Sequence, residues 1–276
     1  MRRTAILVLG CASPPYDETI ATIRNTWART PYPGVDIFYV YGVPHEENAR
    51  EVLELRVRGD WASVPKDGIA RFEDCLVADC ADNIRQQEDC LLRKRLAAFG
   101  YLTRGGRYDF IYTVCATSYV DQEALIGYVG QLAPKKVFQG PLGVCQFSGM
   151  PYVSGASMLL SADVAEALAS HRQTIIEENE FGYRDDVTIG TWVAQNLSDT
   201  SLPHIIAKIH EGVPATSDGT FVLPNRNGAS IGLVTTPVEM HKPSKGAYHY
   251  HFHSQGSRDM VRFHERFFDT PNTAND

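Results

Sequence analysis

The chain has 276 residues, 43% hydrophobic and 21% charged, the proportions of an ordinary globular protein with room for a full core. Its formal net charge of −7 and pI near 5.7 argue against non-specific binding to nucleic acid or anionic lipid, which needs clustered Lys and Arg. A negatively charged ligand therefore requires a local cationic pocket or a metal ion.

Arg2 and Arg3 precede the apolar run Ala5–Leu9. That run is shorter than the roughly 7–15 residues of a signal-peptide core, and nothing approaches the roughly 18 apolar residues of a membrane span. The expectation is a buried first strand over 4–10 and a cytoplasmic protein, bacterial or viral in origin. A helix is predicted over 17–29, with Ile20, Ile23 and Trp27 on one face, then a strand over 36–41 and a helix over 45–58. Residues 73–103 read as mostly helical, because Leu91, Leu92, Leu96, Phe99 and Leu102 recur near helical spacing. A buried strand over 108–114 follows, then a helix over 121–131 capped by Asp121, and a strand over 137–140. Small residues, Ser154-Gly155-Ala156-Ser157, open an apolar strand that leads to a helix from Ala162 to about His171. A further helix over 186–196 begins at the acidic pair Asp185-Asp186. Short β runs such as 220–223, a helix over 257–268 and a frayed tail over 270–276 complete the chain.

This order predicts an α/β fold, a mixed Rossmann-like sheet flanked by helices. No linker divides the sequence, so one domain is expected over 1–269. The six cysteines form no C-x-x-C pair and no zinc spacing, and free, buried thiols are expected. The turn after the first strand, Gly10-Cys11-Ala12-Ser13, lacks the G-x-G-x-x-G of a dinucleotide site.

Four segments, in order, resemble the β-1,3-glycosyltransferases of glycosyltransferase family 31, the fringe proteins included. They are Ile23-Arg24-Asn25-Thr26-Trp27, similar to "IRxTW"; the stretch Asp74–Asp82 followed by Leu91-Leu92-Arg93-Lys94, similar to a "DIIxxDFxD…LTxK" helix; the strand Tyr108–Val114; and Tyr152-Val153-Ser154-Gly155-Ala156 paired with Arg184-Asp185-Asp186-Val187-Thr188-Ile189-Gly190. The resemblance implies a GT-A fold, a UDP-sugar-type donor, a glycan acceptor and transfer with inversion. It divides the domain into a donor half, about 1–120, and an acceptor half, 121–269. By the motif, Asp186 is the general base and Asp185 its acidic neighbour. The residues alone leave another reading open, in which the pair caps the helix, and the two roles are compatible. Tyr152, Ser154, Gly155 and Ala156 are expected to face the acceptor, although small residues also serve tight packing.

The donor is expected near Ser13, Arg24, Asp109, Cys115, Thr117 and Tyr119. Here the chain departs from the family, because Cys115-Ala116-Thr117 stands where the metal-binding Asp-x-Asp belongs. Cys and Thr are poor ligands for Mg²⁺ or Mn²⁺, which prefer anionic oxygen. Three readings stay open: a metal-free enzyme that uses basic side chains, with Arg24 foremost and Arg258 and Lys94 behind it; a metal held by phosphate and another group; or loss of catalysis, leaving a carbohydrate- or nucleotide-sugar-binding protein. His249-x-His251-x-His253 bears on the second, since alternate strand residues share a face. His251 is the candidate metal ligand, His251, His253 and Arg258 are candidates for the diphosphate, and a polar strand with surface histidines is the alternative.

Overall fold

The computed structural model describes residues 2–45, 47–57, 60–144, 151–179, 182, 184–197, 220–224, 230–234, 247–252 and 256–269. Strand β1 (Thr4–Leu9) leads through helix α1 (Tyr16–Asn25) to β2 (Val35–Val43), then α2 (Glu47–Val57), β3 (Ile69–Phe72) and β4 (Cys75–Ala81). Helix α3 (Cys90–Thr103) is followed by β5 (Phe110–Cys115), β6 (Ser118–Val120), α4 (Gln122–Val129), β7 (Phe138–Gln139), β8 (Leu142–Val144), β9 (Pro151–Val153) and β10 (Ser157–Ser161). Three helices come next, α5 (Ala162–Ser170), α6 (Arg172–Glu177) and α7 (Asp185–Asn196). The hairpin β11 (Thr220–Pro224) and β12 (Ser230–Val234), β13 (His249–His251) and α8 (Gly256–Phe267) follow.

The main sheet has seven strands in the order β3-β4-β2-β1-β5-β10-β7. Strands β4, β2, β1 and β5 are parallel, and β3, β10 and β7 are antiparallel to their neighbours. The expected mixed α/β sheet flanked by helices is therefore present. Successive strand residues face opposite sides, so the central strands divide their side chains between two cores. Ile6, Val8, Tyr39, Val77, Tyr112 and Val114 pack with α1, α2, α4 and α8 on one side. Leu7, Leu9, Phe38, Val40, Leu76 and Ile111 pack with α3, α5 and α7 on the other. Among the described residues, no helix is long and apolar enough to cross a membrane. The five described cysteines are free, as expected, and Cys145 and the tail 270–276 lie outside the described residues.

Three local expectations need correction. Residues 75–81 form strand β4, and the helix starts only at Cys90. With β3 and β2 beside it and a core on each face, β4 buries Leu76, Val77 and Ala78 completely, and a strand covered on both faces shows no alternation to distinguish it from a helix. Helix α1 ends at Asn25 rather than 29: Thr26 leaves helical geometry, and the Trp27 indole turns inward to donate to the Ser118 carbonyl at 3.0 Å. Ser154–Ala156 is a turn between β9 and β10, closed by the Ser157 amide on the Ser154 carbonyl at 3.1 Å, and not part of a strand.

The carboxyl ends of β1, β2 and β4 are tied together by one buried side-chain pair. Lys94, wholly buried on α3, donates Nζ to the Gly10 carbonyl (2.9 Å), the Asp82 carbonyl (2.6 Å) and Asp82 Oδ1 (2.7 Å). The Asp82 carboxylate also accepts the amides of Ala12 (2.6 Å) and Gly42 (2.8 Å). Burial works against the ammonium charge, but the adjacent carboxylate prevails and holds Lys94 above its ordinary pKa. Lys94→Met leaves Asp82 buried without its counter-ion and is expected to cost about 3–5 kcal/mol in urea unfolding. The double variant with Asp82→Asn is expected to recover part of that loss.

Candidate active site

The chain order around β1 places a crevice. From β1 the sheet grows through β2 and β4 on one side and then returns to place β5 on the other. In open α/β sheets, ligands bind outside the carboxyl ends of the strands at such a reversal. Here Leu9, Val40 and Cys115 form one row in register, and the loops that follow β1 and β5 flank the reversal. Gly10–Ser13 lies on one side and Cys115–Ser118 on the other. Ser13 is buried in its loop, which Asp82 holds through the Ala12 amide.

On the β5 side, Cys115 is half-buried. Its Sγ lies 3.1 Å from Thr117 Oγ1, 3.2 Å from Ser118 Oγ and 3.5 Å from His251 Nδ1. His251 arrives because β13 pairs antiparallel with β6, with His251 opposite Ser118 and His249 opposite Val120. The expected shared face holds for the two described histidines, whose rings are nearly parallel with centroids 6.3 Å apart. His253 lies outside the described residues. His249 is not a surface residue: it is fully buried, with Nδ1 2.8 Å from the Tyr112 hydroxyl, which is itself 2.6 Å from Ser157 Oγ. Burial, and secondarily the neighbouring His251, push His249 well below its ordinary pKa, so it is neutral.

Ser118 connects this cluster to the next one. Its hydroxyl donates to the Ala156 carbonyl at 3.2 Å, in the turn that carries Gly155. The Gly155 amide donates to Asp186 Oδ2 at 2.9 Å, and Asp186 Oδ1 accepts the Val187 amide at 2.9 Å. Both aspartates lie in the first turn of α7, where the helix dipole favours carboxylates. Their environments differ. Asp186 is half-buried, with lone-pair capacity remaining. Asp185 is buried, and its Oδ2 faces Arg95 Nε at 3.0 Å as an ion pair lacking hydrogen-bond alignment. Burial raises the Asp185 pKa against the opposing pull of Arg95. Arg95 also donates to the Gly155 carbonyl at 3.3 Å. A Cβ on Gly155 would stand 3.2 Å from the guanidinium and 3.4 Å from the Asp186 Cβ, so the turn packs closely on both groups.

The expected residues thus separate into two sets. Cys115, Thr117, His251, Ser154, Gly155, Ala156 and Asp186 come together along this edge. Tyr152 lies in β9, just before the turn. Asp185 is a buried partner of Arg95 and supports its neighbour. Four residues fall elsewhere. Arg24 is bound to both carboxylate oxygens of Asp74 and stacks 3.8 Å above the Tyr39 ring. Asp109 precedes β5 and accepts the Arg3 amide at 2.9 Å, about 20 Å of strand away from Cys115. Tyr119 points to the opposite side of β6 from Ser118, with its hydroxyl 2.8 Å from His264 Nδ1. Arg258 is exposed on α8.

Arg95, Ser118 and the anchoring role of Trp27 were not legible as site features. For Arg95 a signal exists: Arg93-Lys94-Arg95 interrupts an apolar helix, and basic residues on a buried face require partners.

Arg95→Met leaves the Asp185 carboxyl buried without its cation. The Asp185 pKa is already above the unfolded value and rises further, so the folded state binds that proton more tightly and gains stability as pH falls. The expected deficit in unfolding free energy is therefore widest at pH 8 and narrows towards pH 5. A deficit independent of pH would show that the pair matters only through packing.

No protein-family model matches the chain, and no curated protein sequence does. Among solved structures, the chain is similar to the glycosyltransferase GlyE of Streptococcus pneumoniae TIGR4. One crystal structure of GlyE matches with a TM-score of 0.36 and 12% identity over 70% of this chain and 43% of that one. Its apo form matches with a TM-score of 0.35 and 11% identity over 71% and 44%. The chain therefore spans less than half the length of GlyE. A likeness this distant carries no inference about activity, which has to come from the site itself.

Proposed function

We propose that the chain is an inverting glycosyltransferase of GT-A type, which moves a sugar from a nucleotide-sugar donor to a hydroxyl of a glycan acceptor. The observation that carries this reading is the Gly155 amide on Asp186 at 2.9 Å. It joins two sequence motifs some thirty residues apart into one half-open carboxylate site. That site is connected through Ala156 and Ser118 to the crevice between β1 and β5. The family resemblance makes the donor UDP-linked.

In this reading the nucleotide lies over the carboxyl ends of β1 and β5, between Ser13 and Thr117, and the acceptor approaches along Tyr152–Ala156. Asp186, fixed by two backbone amides, accepts the proton of the acceptor hydroxyl as its oxygen bonds to the anomeric carbon. The bond from that carbon to the donor phosphate breaks on the opposite face, and the nucleoside diphosphate leaves. Asp185 and Arg95 keep the α7 terminus and the Gly155 turn in place. The departing phosphate needs positive charge. Among the described residues of this edge, His251 is the candidate for that role.

The resemblance also implies Mn²⁺ or Mg²⁺, and the donor set does not fit either. Cys115 and Thr117 replace the aspartates, Cys115 is engaged by His251, and the described residues contain no group of three or more His, Cys, Asp or Glu arranged to hold a metal. The same replacement favours the second reading, a protein that binds nucleotide sugars or glycans without catalysis.

A panel of nucleotide sugars, each followed by NMR with EDTA, Mg²⁺ or Mn²⁺, separates the two. Turnover of one donor, insensitive to EDTA, is the expected result. With a competent acceptor, Asp186→Asn is expected to lower kcat by about 10²–10⁴-fold while leaving donor binding unchanged. Binding without turnover under every condition selects the second reading. Absence of any donor binding overturns the transferase reading and leaves glycan binding as the function.

A further inference from the structure

At the amino ends of the strands, away from the crevice, β2 begins before its neighbour β4 does. Their pairing starts only at Tyr39–Cys75, because the chain turns through Glu73 and Asp74 from β3 into β4 at that level. The first residues of β2, Val35–Phe38, therefore have β1 on one side and no strand on the other. The register decides which backbone groups are left over. Val40 presents its carbonyl to β1, where it accepts the Gly10 amide at 2.8 Å, and Tyr39 turns its amide the other way, onto the Asp74 carbonyl at 2.9 Å. Backbone groups alternate sides along a strand, so the N–H and C=O of Ile37 point to the open side. Among the described residues, neither meets a backbone partner there. A cavity of about 470 Å³ fills this notch, between the Glu73-Asp74 turn and Arg71 on one hand and Arg24 and Arg29 on the other.

The charges around the notch are unequal. Arg24 is taken by Asp74, and Asp36 is shared by Arg3 and Arg107. Arg29 and Arg71 line the cavity without a carboxylate in ion-pair reach among the described residues, and only Glu73 is left to oppose them. Five guanidinium groups thus stand against three carboxylates, in a chain of net charge −7. Arg29 and Arg71 also belong to opposite faces of the sheet. Arg29 follows α1, on the side of Tyr39, over whose ring Arg24 stacks; Arg71 lies 5.2 Å from the ring centroid of Phe38, which belongs to the other core.

We propose that this notch is a docking site for an extended acidic peptide, which adds a short strand to the open edge of β2 and carries two consecutive carboxylate side chains. The peptide backbone pairs with the N–H and C=O of Ile37, and such main-chain bonds supply affinity while side chains select the sequence. Consecutive side chains of a strand point to opposite faces, so one carboxylate meets Arg29 and the next meets Arg71. The site lies at the other end of the strands from the crevice and does not rest on the transferase reading.

The probes are acetylated and amidated hexapeptides: Thr-Val-Glu-Asp-Val-Thr, its neutral analogue Thr-Val-Gln-Asn-Val-Thr, and Thr-Glu-Val-Asp-Val-Thr, which places both acids on one face. Binding to the full chain is read by calorimetry, and amide hydrogen exchange by NMR. In the free protein the Ile37 amide is expected to exchange at least about tenfold faster than that of Phe38, which the register directs at β1, and the first peptide at saturation is expected to slow it about tenfold. That peptide is expected to bind about tenfold more tightly than either control, an advantage that shrinks at high salt. The double variant Arg29→Gln, Arg71→Gln is expected to erase the advantage while keeping the native urea midpoint. The inference is overturned if the first peptide does not bind, if all the peptides bind equally, or if binding leaves Ile37 exchange unchanged. An Ile37 amide already as protected as that of Phe38 in the free protein overturns it without recourse to any variant.

Discussion

The carboxyl edge of the sheet depends on the buried ion pair between Lys94 and Asp82. A lysine in the core is tolerable only if its charge is matched and each of its protons finds an acceptor. Lys94 meets that condition with one carboxylate oxygen and two backbone carbonyls, and the same carboxylate takes two amides from the ends of β1 and β2. Five polar contacts therefore converge at the point where three parallel strands stop. The loop that carries Ser13 leaves the sheet from this knot, and its position follows from it.

Helix α3 also organises the other half of the site. Lys94 and Arg95 are consecutive and therefore point in different directions around the helix. Lys94 reaches the β1, β2 and β4 ends, while Arg95 reaches Asp185 and the Gly155 turn. One turn of helix thus sets the distance between the loop after β1 and the amino end of α7. The pair Asp185-Asp186 shows how adjacent carboxylates acquire different properties from their surroundings. Asp185 is buried against a cation, while Asp186 remains half-open to a ligand and is held by two amides. Only Asp186 has both the access and the fixed orientation that proton transfer requires.

After β5, where the family resemblance leads one to expect aspartates, this chain places Cys115 beside His251. The exchange changes the chemistry available there, soft and polarisable where a hard anionic cradle is expected. Trp27 holds the same segment from below through the Ser118 carbonyl. The Ile23–Trp27 motif thus contributes to this site through its tryptophan, while its arginine is committed to Asp74.

The sequence by itself determined the alternation of strands and helices, the apolar faces of the central strands, and three segments of the candidate site: Cys115–Thr117, Ser154–Ala156 and Asp185-Asp186. The elements and their faces follow from local periodicity and residue types, which are properties of short windows, and the three segments follow from the family resemblance. It did not determine β4, because burial on both faces erases the period-two signal that separates strand from helix. It also did not separate Asp185 from Asp186, nor withdraw Arg24 and Asp109 from the site, because ion-pair partners and sheet edges are set by non-local packing. The meeting of Cys115 with His251, 136 residues further along the chain, was decided by tertiary structure alone. It requires β13 to pair with β6 in one register, and a shift of one residue would turn both histidines to the other face.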